Sequence, residues 1–223
     1  MKKSLLIEAI VKYAAGVILV GALLFIPAGT FKWTNGWIFM TILFVPMFFA
    51  GIVMYLKAPD LLRSRLDNKE KEAEQKDVIG WSGLMFIAAF IVAGLNYRFS
   101  WIIMPDFVVW IGVVVFLLSY LLFAEVLREN RYLSRTIKVE EDQKVVDSGL
   151  YGIVRHPMYL ASTSLFLSMP LVLNSLISFV IMLVYIPLIM KRIRNEEKVL
   201  EEGLQGYKEY KQKVRYRMIP FIW

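Results

Sequence analysis

Residues 148–159 read SGLYGIVRHPMY and gather the chain's single histidine, His156, with Tyr151, Arg155 and Tyr159. A second polar cluster, KRIRNEEKVL, occupies 191–200 and holds Arg192, Glu196 and Glu197. In the first cluster Pro157 suits the opening position of a helix, where its missing N–H is not needed and its fixed φ is already helical. His156 then falls at or near the N-cap, and the unpaired amides that follow form a site for a carboxylate or phosphate. Gly149 and Gly152 let the preceding chain bend closely round a ligand, and Arg155 can add a bidentate contact to an anion. A plainer reading competes: taken alone, Arg155 and His156 suit an interfacial anchor, and one histidine titrating near neutrality is not thereby a catalyst.

In the second cluster Arg192 and Glu196 lie four residues apart and share a helix face, as do Glu197 and Glu201. Glu197, Glu201 and Glu202 read as a solvated face laced with ion pairs. Ile193, Leu200, Leu204 and Tyr207 keep near-helical spacing and make this segment an amphipathic helix. Arg192 and Glu196 stand closer to the first cluster. A carboxylate there can balance a cation or bind hydroxyls and amines, and an arginine can hold an anionic substrate.

The elements that must position these residues are apolar. Of 223 residues 58% are hydrophobic and mean hydropathy is +0.56, above the roughly 45–50% apolar content of soluble domains. Spans of roughly 20 apolar residues fall near Ile7–Ile26, Gly36–Leu56, Val78–Leu95 and Pro105–Ala124. Glu8 and Lys12 can pair on one face of the first, and Trp33, Trp37, Trp101 and Trp110 sit near span ends as interfacial aromatics do. The stretch Met158–Met190 is too long for one span and short for two. A turn at Asn174 and Ser175 divides it into arms of about 16 residues, or ~24 Å of helix. That hairpin sets both polar clusters at one end.

The expected fold is an all-α integral membrane protein with about six transmembrane helices, including the C-terminal hairpin, followed by a cytoplasmic amphipathic helix. Residues 1–127 form the N-terminal membrane helices and 128–223 the chemical region, within one structural domain. Segments 57–77, 128–155 and 191–223 carry 6, 6 and 9 Lys/Arg, whereas the turns near 27–35 and 96–104 carry one each and the Asn174 turn none. The positive-inside rule then puts both termini and both clusters in the cytoplasm. The mixed-charge loop 57–77 reads as a solvated linker without chemistry. Met1–Thr30 lacks an A-x-A site and does not read as a cleaved signal.

Composition also excludes function classes. With no cysteine there is no disulfide, thiolate nucleophile or sulfur-ligated metal, and one histidine argues against a histidine-rich metal site. The net charge of +7 sits in loops between spans, where it meets anionic headgroups; nucleic acid is not an expected partner. The spans hold almost no ionisable residue to line a polar path, which counts against a transporter or scaffold.

With both clusters in place, residues 130–220 resemble the isoprenylcysteine carboxyl methyltransferase family and the related membrane phospholipid N-methyltransferases. The resemblance is carried by Asp147–Tyr159, then Arg192-Ile-Arg-Asn-Glu-Glu197, then Gly206-Tyr-Lys-Glu-Tyr210 and Pro220. It implies an S-adenosylmethionine-dependent methyltransferase acting on a lipophilic or prenylated acceptor, without a Rossmann sheet; no G-x-G-x-x-G follows a plausible strand. It further implies cofactor contacts from Gln143, Lys144, Val145 and Val146, from Tyr151, from His156, Pro157, Met158 and Tyr159, and from Glu196. Arg192 is implied as the catalytic, substrate-holding arginine. Where family members can carry a cofactor-contacting glutamine, this chain has Thr136. The acceptor reads best as an isoprenylcysteine-like carboxylate, with a phospholipid amine as the alternative; the amine would need a base, for which His156 or Glu197 is available. The C-terminal regions of NADPH-dependent sterol reductases are also similar, and there Arg131, Lys138 and Lys144 would serve the extra phosphate.

Overall fold

The apolar runs fold as helices. The computed structural model describes residues 2–66, 73–130, 132, 139 and 142–223, and among them there is no strand. Four long helices come first: α1 Lys2–Ala28, α2 Thr34–Lys57, α4 Ala73–Phe99 and α5 Asp106–Glu129, with the short α3 Pro59–Leu66 between α2 and α4. A 3-10 turn at Gly149–Gly152 leads into α6 Pro157–Val172, α7 Leu176–Met182, α8 Tyr185–Gly203 and α9 Tyr207–Lys213.

Five stretches are long and apolar enough to cross a membrane: Ser4–Ala28, Thr34–Lys57, Asp77–Phe99, Asp106–Glu129 and Leu176–Gly203. Their outer faces are apolar and open, with Ile18 71% and Leu121 67% exposed, as a lipid-facing surface requires. The protein is an integral, multi-pass membrane protein. The sixth apolar helix, α6, has 16 residues, matching the arm length expected from the sequence.

The hairpin turns at the expected residues. Asn174 adopts φ +54°, the left-handed conformation that asparagine tolerates better than most residues, and the Ser175 hydroxyl accepts from the Ser178 N–H at 3.3 Å. The Asn174 side chain grips the α4–α5 loop, accepting from Met104 N–H at 2.7 Å and donating to Met104 C=O at 3.2 Å. Asn96 donates to the Asn174 carbonyl at 3.1 Å. This pole therefore closes with three chain segments tied together.

Two expectations need correction. The amphipathic segment is not a separate helix after the hairpin: α8 runs unbroken from Tyr185 past Met190 to Gly203. The break comes earlier, at Leu183–Val184. Pro187 has no N–H for the Leu183 carbonyl and its ring crowds that group; the turn tightens instead, with Ile186 N–H donating to Leu183 C=O at 3.1 Å. Trp33 lies at a span end as expected but is packed inside the protein rather than presented at its surface, being 2% exposed and stacked on Tyr97 at 5.1 Å between ring centres. Trp37, Trp101 and Trp110 remain exposed, and Glu8 and Lys12 pair at 2.6 Å as expected.

One core joins the early and late helices, with Leu24, Phe39, Phe90, Phe116, Val172, Met182 and Ile193 all inside it. Contact between α5 and α6 is close enough that a Cβ at Gly112 would lie 2.8 Å from Leu171 Cβ and 2.9 Å from Val172 N. Small residues at helix crossings are how membrane helices gain packing contact without a hydrophobic drive.

Candidate functional site

The start of α6 is built as its sequence requires. Pro157 is the first helical residue and His156 the N-cap, with φ −129° and ψ 60°. The His156 ring does not cap the helix. It turns instead toward α8, where Nε2 lies 3.3 Å from Glu197 Oε1.

Glu197 is the main departure from the sequence reading. It is 3% exposed rather than solvated. Its Oε1 accepts from Arg155 Nε at 2.8 Å and Nη2 at 2.7 Å, and its Oε2 from Arg217 Nε at 2.9 Å. Arg155, read from the sequence either as an anion contact or as an interfacial anchor, spends its guanidinium on Glu197 and on the carbonyls of Val214 and Arg215, at 2.7 and 2.8 Å. Backbone bonds from Arg155 N–H to Tyr216 C=O and from His156 N–H to Arg217 C=O, at 2.9 and 2.7 Å, complete the junction. A buried carboxylate needs such partners, because its desolvation is otherwise uncompensated. No sequence signal separated Glu197 from Glu201, since both belong to i,i+4 patterns; Glu201 does pair at the surface, with Lys211.

One residue earlier, Glu196 points elsewhere. Its carboxylate receives the Tyr159 hydroxyl, and Arg192 Nε donates to that same hydroxyl oxygen at 3.1 Å. The two arms of the hairpin meet through these three side chains.

The chain before α6 is held from two sides. Gly149 has φ +55°, and a Cβ there would sit 1.8 Å from Glu129 Oε1. That closeness lets the Glu129 carboxylate accept the Leu150 N–H, at 2.9 Å to Oε2. Tyr210 Oη donates to the Tyr151 carbonyl at 2.7 Å, and Lys213 pairs with Asp147 at 2.8 Å, holding that exposed carboxyl below its usual range. Burial raises the phenols of Tyr151, Tyr207 and Tyr210, so all three stay neutral at physiological pH. The Tyr207 hydroxyl is buried with no hydrogen-bond partner among the described residues, a cost of about 1–3 kcal/mol unless a ligand or water meets it.

These elements enclose a cavity of about 480 Å³, within the roughly 300–1,000 Å³ of small-molecule sites. Gln143, Lys144, Val145, Val146, Tyr151, His156, Met158, Tyr159, Arg192 and Glu196 all line it. Pro157 does not; it is buried behind the wall as the helix starter. Thr136, Arg131 and Lys138 lie outside the described residues. The cavity has two parts. Its polar end lies among the clusters and the tyrosines, and its apolar end extends along Ile79, Gly83 and Phe86 of α4 with Phe123, Phe166 and Ile189.

Sequence reasoning missed several wall residues. Tyr207 was read within an amphipathic periodicity, which cannot tell a core face from a cavity face, and Tyr210 only as part of the stretch that carries the resemblance. Arg65 also lines the cavity and lies 5.6 Å over the Phe123 ring, although its loop was given no chemistry. There is no cluster of potential metal ligands among the described residues.

A sequence profile of the isoprenylcysteine carboxyl methyltransferase (ICMT) family matches residues 110–202. Over 91 residues the chain is 32% identical to the Delta(14)-sterol reductase of Mus musculus, a match covering 40% of this chain and 22% of that protein. The chain thus spans about a fifth of the length of this curated relative. The solved eukaryotic intramembrane Ras methyltransferase ICMT superposes with a TM-score of 0.59 at 20% identity, covering 94% of this chain and 75% of that one. This likeness shows the same membrane fold.

Proposed function

We propose that this chain, whose residues 110–202 match the isoprenylcysteine carboxyl methyltransferase family, transfers a methyl group from S-adenosylmethionine to a lipophilic carboxylate of the isoprenylcysteine type. The observation that carries the reading is the meeting of Tyr159, Arg192 and Glu196 at the wall of a single two-part cavity.

The residues present fit such a cofactor. The polar end offers the start of α6 for a carboxylate, the Glu196 carboxylate for an amine, and the unpartnered Tyr207 hydroxyl for a ribose or adenine atom. When bound, S-adenosylmethionine supplies an electrophilic methyl group on a positively charged sulfur. Tyr151 and Tyr159 place aromatic faces at that end, where attraction to a cation is worth ~0.5–2 kcal/mol. Arg192 orients the acceptor carboxylate, which is already ionised and needs no base. The apolar end receives the lipid part of the acceptor and excludes water. Positioning then supplies much of the acceleration, as expected for an in-line displacement. The basic pole, with the mouth of the polar end, faces the cytoplasm under this reading.

A second reading has its own support in the 32% identity to a sterol reductase: a reductase using a nicotinamide nucleotide in the same cavity. Equilibrium binding to the purified protein separates the two. Saturable binding of S-adenosylhomocysteine, and transfer of labelled methyl to a prenylcysteine in reconstituted membranes, support methyl transfer. Binding of NADPH with no binding of S-adenosylhomocysteine overturns it.

A further inference from the structure

The face of α8 turned away from Arg192 and Glu196 carries a second concavity, of about 290 Å³. Pro187 and Met190 form its apolar side, and Lys191, Arg194, Asn195 and Lys198 its polar side. Lys191, Arg194 and Lys198 are exposed. Among the described residues no carboxylate lines this groove, and the buried Asn195 amide nitrogen has no acceptor. The three cations recur at i, i+3 and i+7, which aligns them on one helix face.

Beyond the groove the exposed surface is apolar: Val184, at the α7–α8 break and three residues before Pro187, is 50% exposed, and Val180, on α7, is 58% exposed. An apolar lane therefore runs up to a tricationic groove where the span gives way to the basic segment. A free phosphate has no use for the lane. A lipid with an acyl chain and a negatively charged headgroup matches both parts.

We propose that this groove binds the phosphate of an anionic membrane phospholipid, with an acyl chain laid along Val184 and Val180. Lys191, Arg194 and Lys198 surround the phosphate. The site is separate from the cavity on the opposite face of α8 and is independent of which reaction that cavity performs. A lipid held there braces the outer side of the helix that carries Arg192 and Glu196.

The test uses the full chain in detergent, with phosphatidylglycerol and phosphatidylcholine of equal chain length added separately and retained lipid read by native mass spectrometry. The expected result is retention of one phosphatidylglycerol in preference to phosphatidylcholine. Affinity should fall at least about tenfold in K191Q/R194Q/K198Q, as loss of three charge contacts near a headgroup implies. A control variant neutralised elsewhere on the basic pole, K57Q/R63Q, should keep the preference. If the triple variant fails to fold, R194Q and K198Q singly should each weaken retention. Val184→Asn should weaken phosphatidylglycerol retention by interrupting the chain lane. Equal retention of both lipids, or a preference unchanged in the triple and single variants, overturns the proposal. So does displacement of the lipid by equimolar inorganic phosphate, which would reveal an anion site indifferent to the chain.

Discussion

Glu196 and Glu197 are adjacent in the chain, yet their carboxylates serve different sets of partners around α8. Glu196 meets the Tyr159 hydroxyl at the cavity wall, and Glu197 is sealed among Arg155, His156 and Arg217. Helical geometry turns successive side chains by about 100°, so one residue of offset suffices to separate a ligand-facing acid from a structural one. Glu196→Gln keeps the shape and removes the charge. It should weaken S-adenosylhomocysteine binding about tenfold or more, the scale of losing a charged hydrogen bond, while the thermal midpoint changes little. Calorimetric titration beside a melting curve reads both. A large drop in the midpoint with unchanged affinity would assign Glu196 to the scaffold instead.

Glu197 should behave in the reverse sense. Glu197→Ala leaves Arg155, only 5% exposed, without its carboxylate, and breaking a buried pair from one side costs on the order of 3–5 kcal/mol. Arg217 is more open and can regain water, so its share is smaller. The expected outcome is a protein that loses its monodisperse peak on heating well before the parent does, with Glu197→Asp intermediate. If Glu197→Ala melts with the parent, the cluster does not hold α8, α6 and the C-terminal segment together.

Much of this was legible because its signals are local. The spans follow from hydropathy, the start of α6 from Pro157, and the hairpin turn from two polar residues in an apolar stretch. The role of Glu197 was not legible, because it depends on Arg217 folding back from twenty residues away, and no pattern of spacing records that return. The unbroken α8 was missed for a related reason. A change from apolar to charged composition marks a change of solvent, not a change of backbone, and the break itself belongs to Pro187 four residues after Leu183. Arg65 and Tyr207 entered the cavity wall through tertiary placement alone.

Gly149 gives a steric prediction. Its φ of +55° is costly for a residue with a Cβ, by roughly 1–2 kcal/mol, and the Glu129 carboxylate occupies the space that Cβ would take. Gly149→Ala should therefore push Glu129 off the Leu150 N–H and shift Tyr151 two residues on. Stability and ligand affinity should both fall. Adding Glu129→Ala should restore part of the affinity, because it clears the clash but not the backbone strain. A double variant no better than Gly149→Ala would show that the clash is not the cause.

Asn174 tests the opposite pole. It holds the hairpin turn in a left-handed conformation and exchanges two hydrogen bonds with Met104 across 70 residues of sequence. Asn174→Ala strains the turn and leaves the Met104 amide without its acceptor, a loss of about 1–3 kcal/mol for a buried group. None of the cavity residues belongs to this turn. The expected result is a lowered thermal midpoint with unchanged affinity for S-adenosylhomocysteine in the protein that remains folded. Asn174→Gly, which relieves the backbone strain but restores no side-chain bond, should recover only part of the loss. If it recovers all of it, the turn is governed by backbone conformation, and the clamp on Met104 adds nothing measurable.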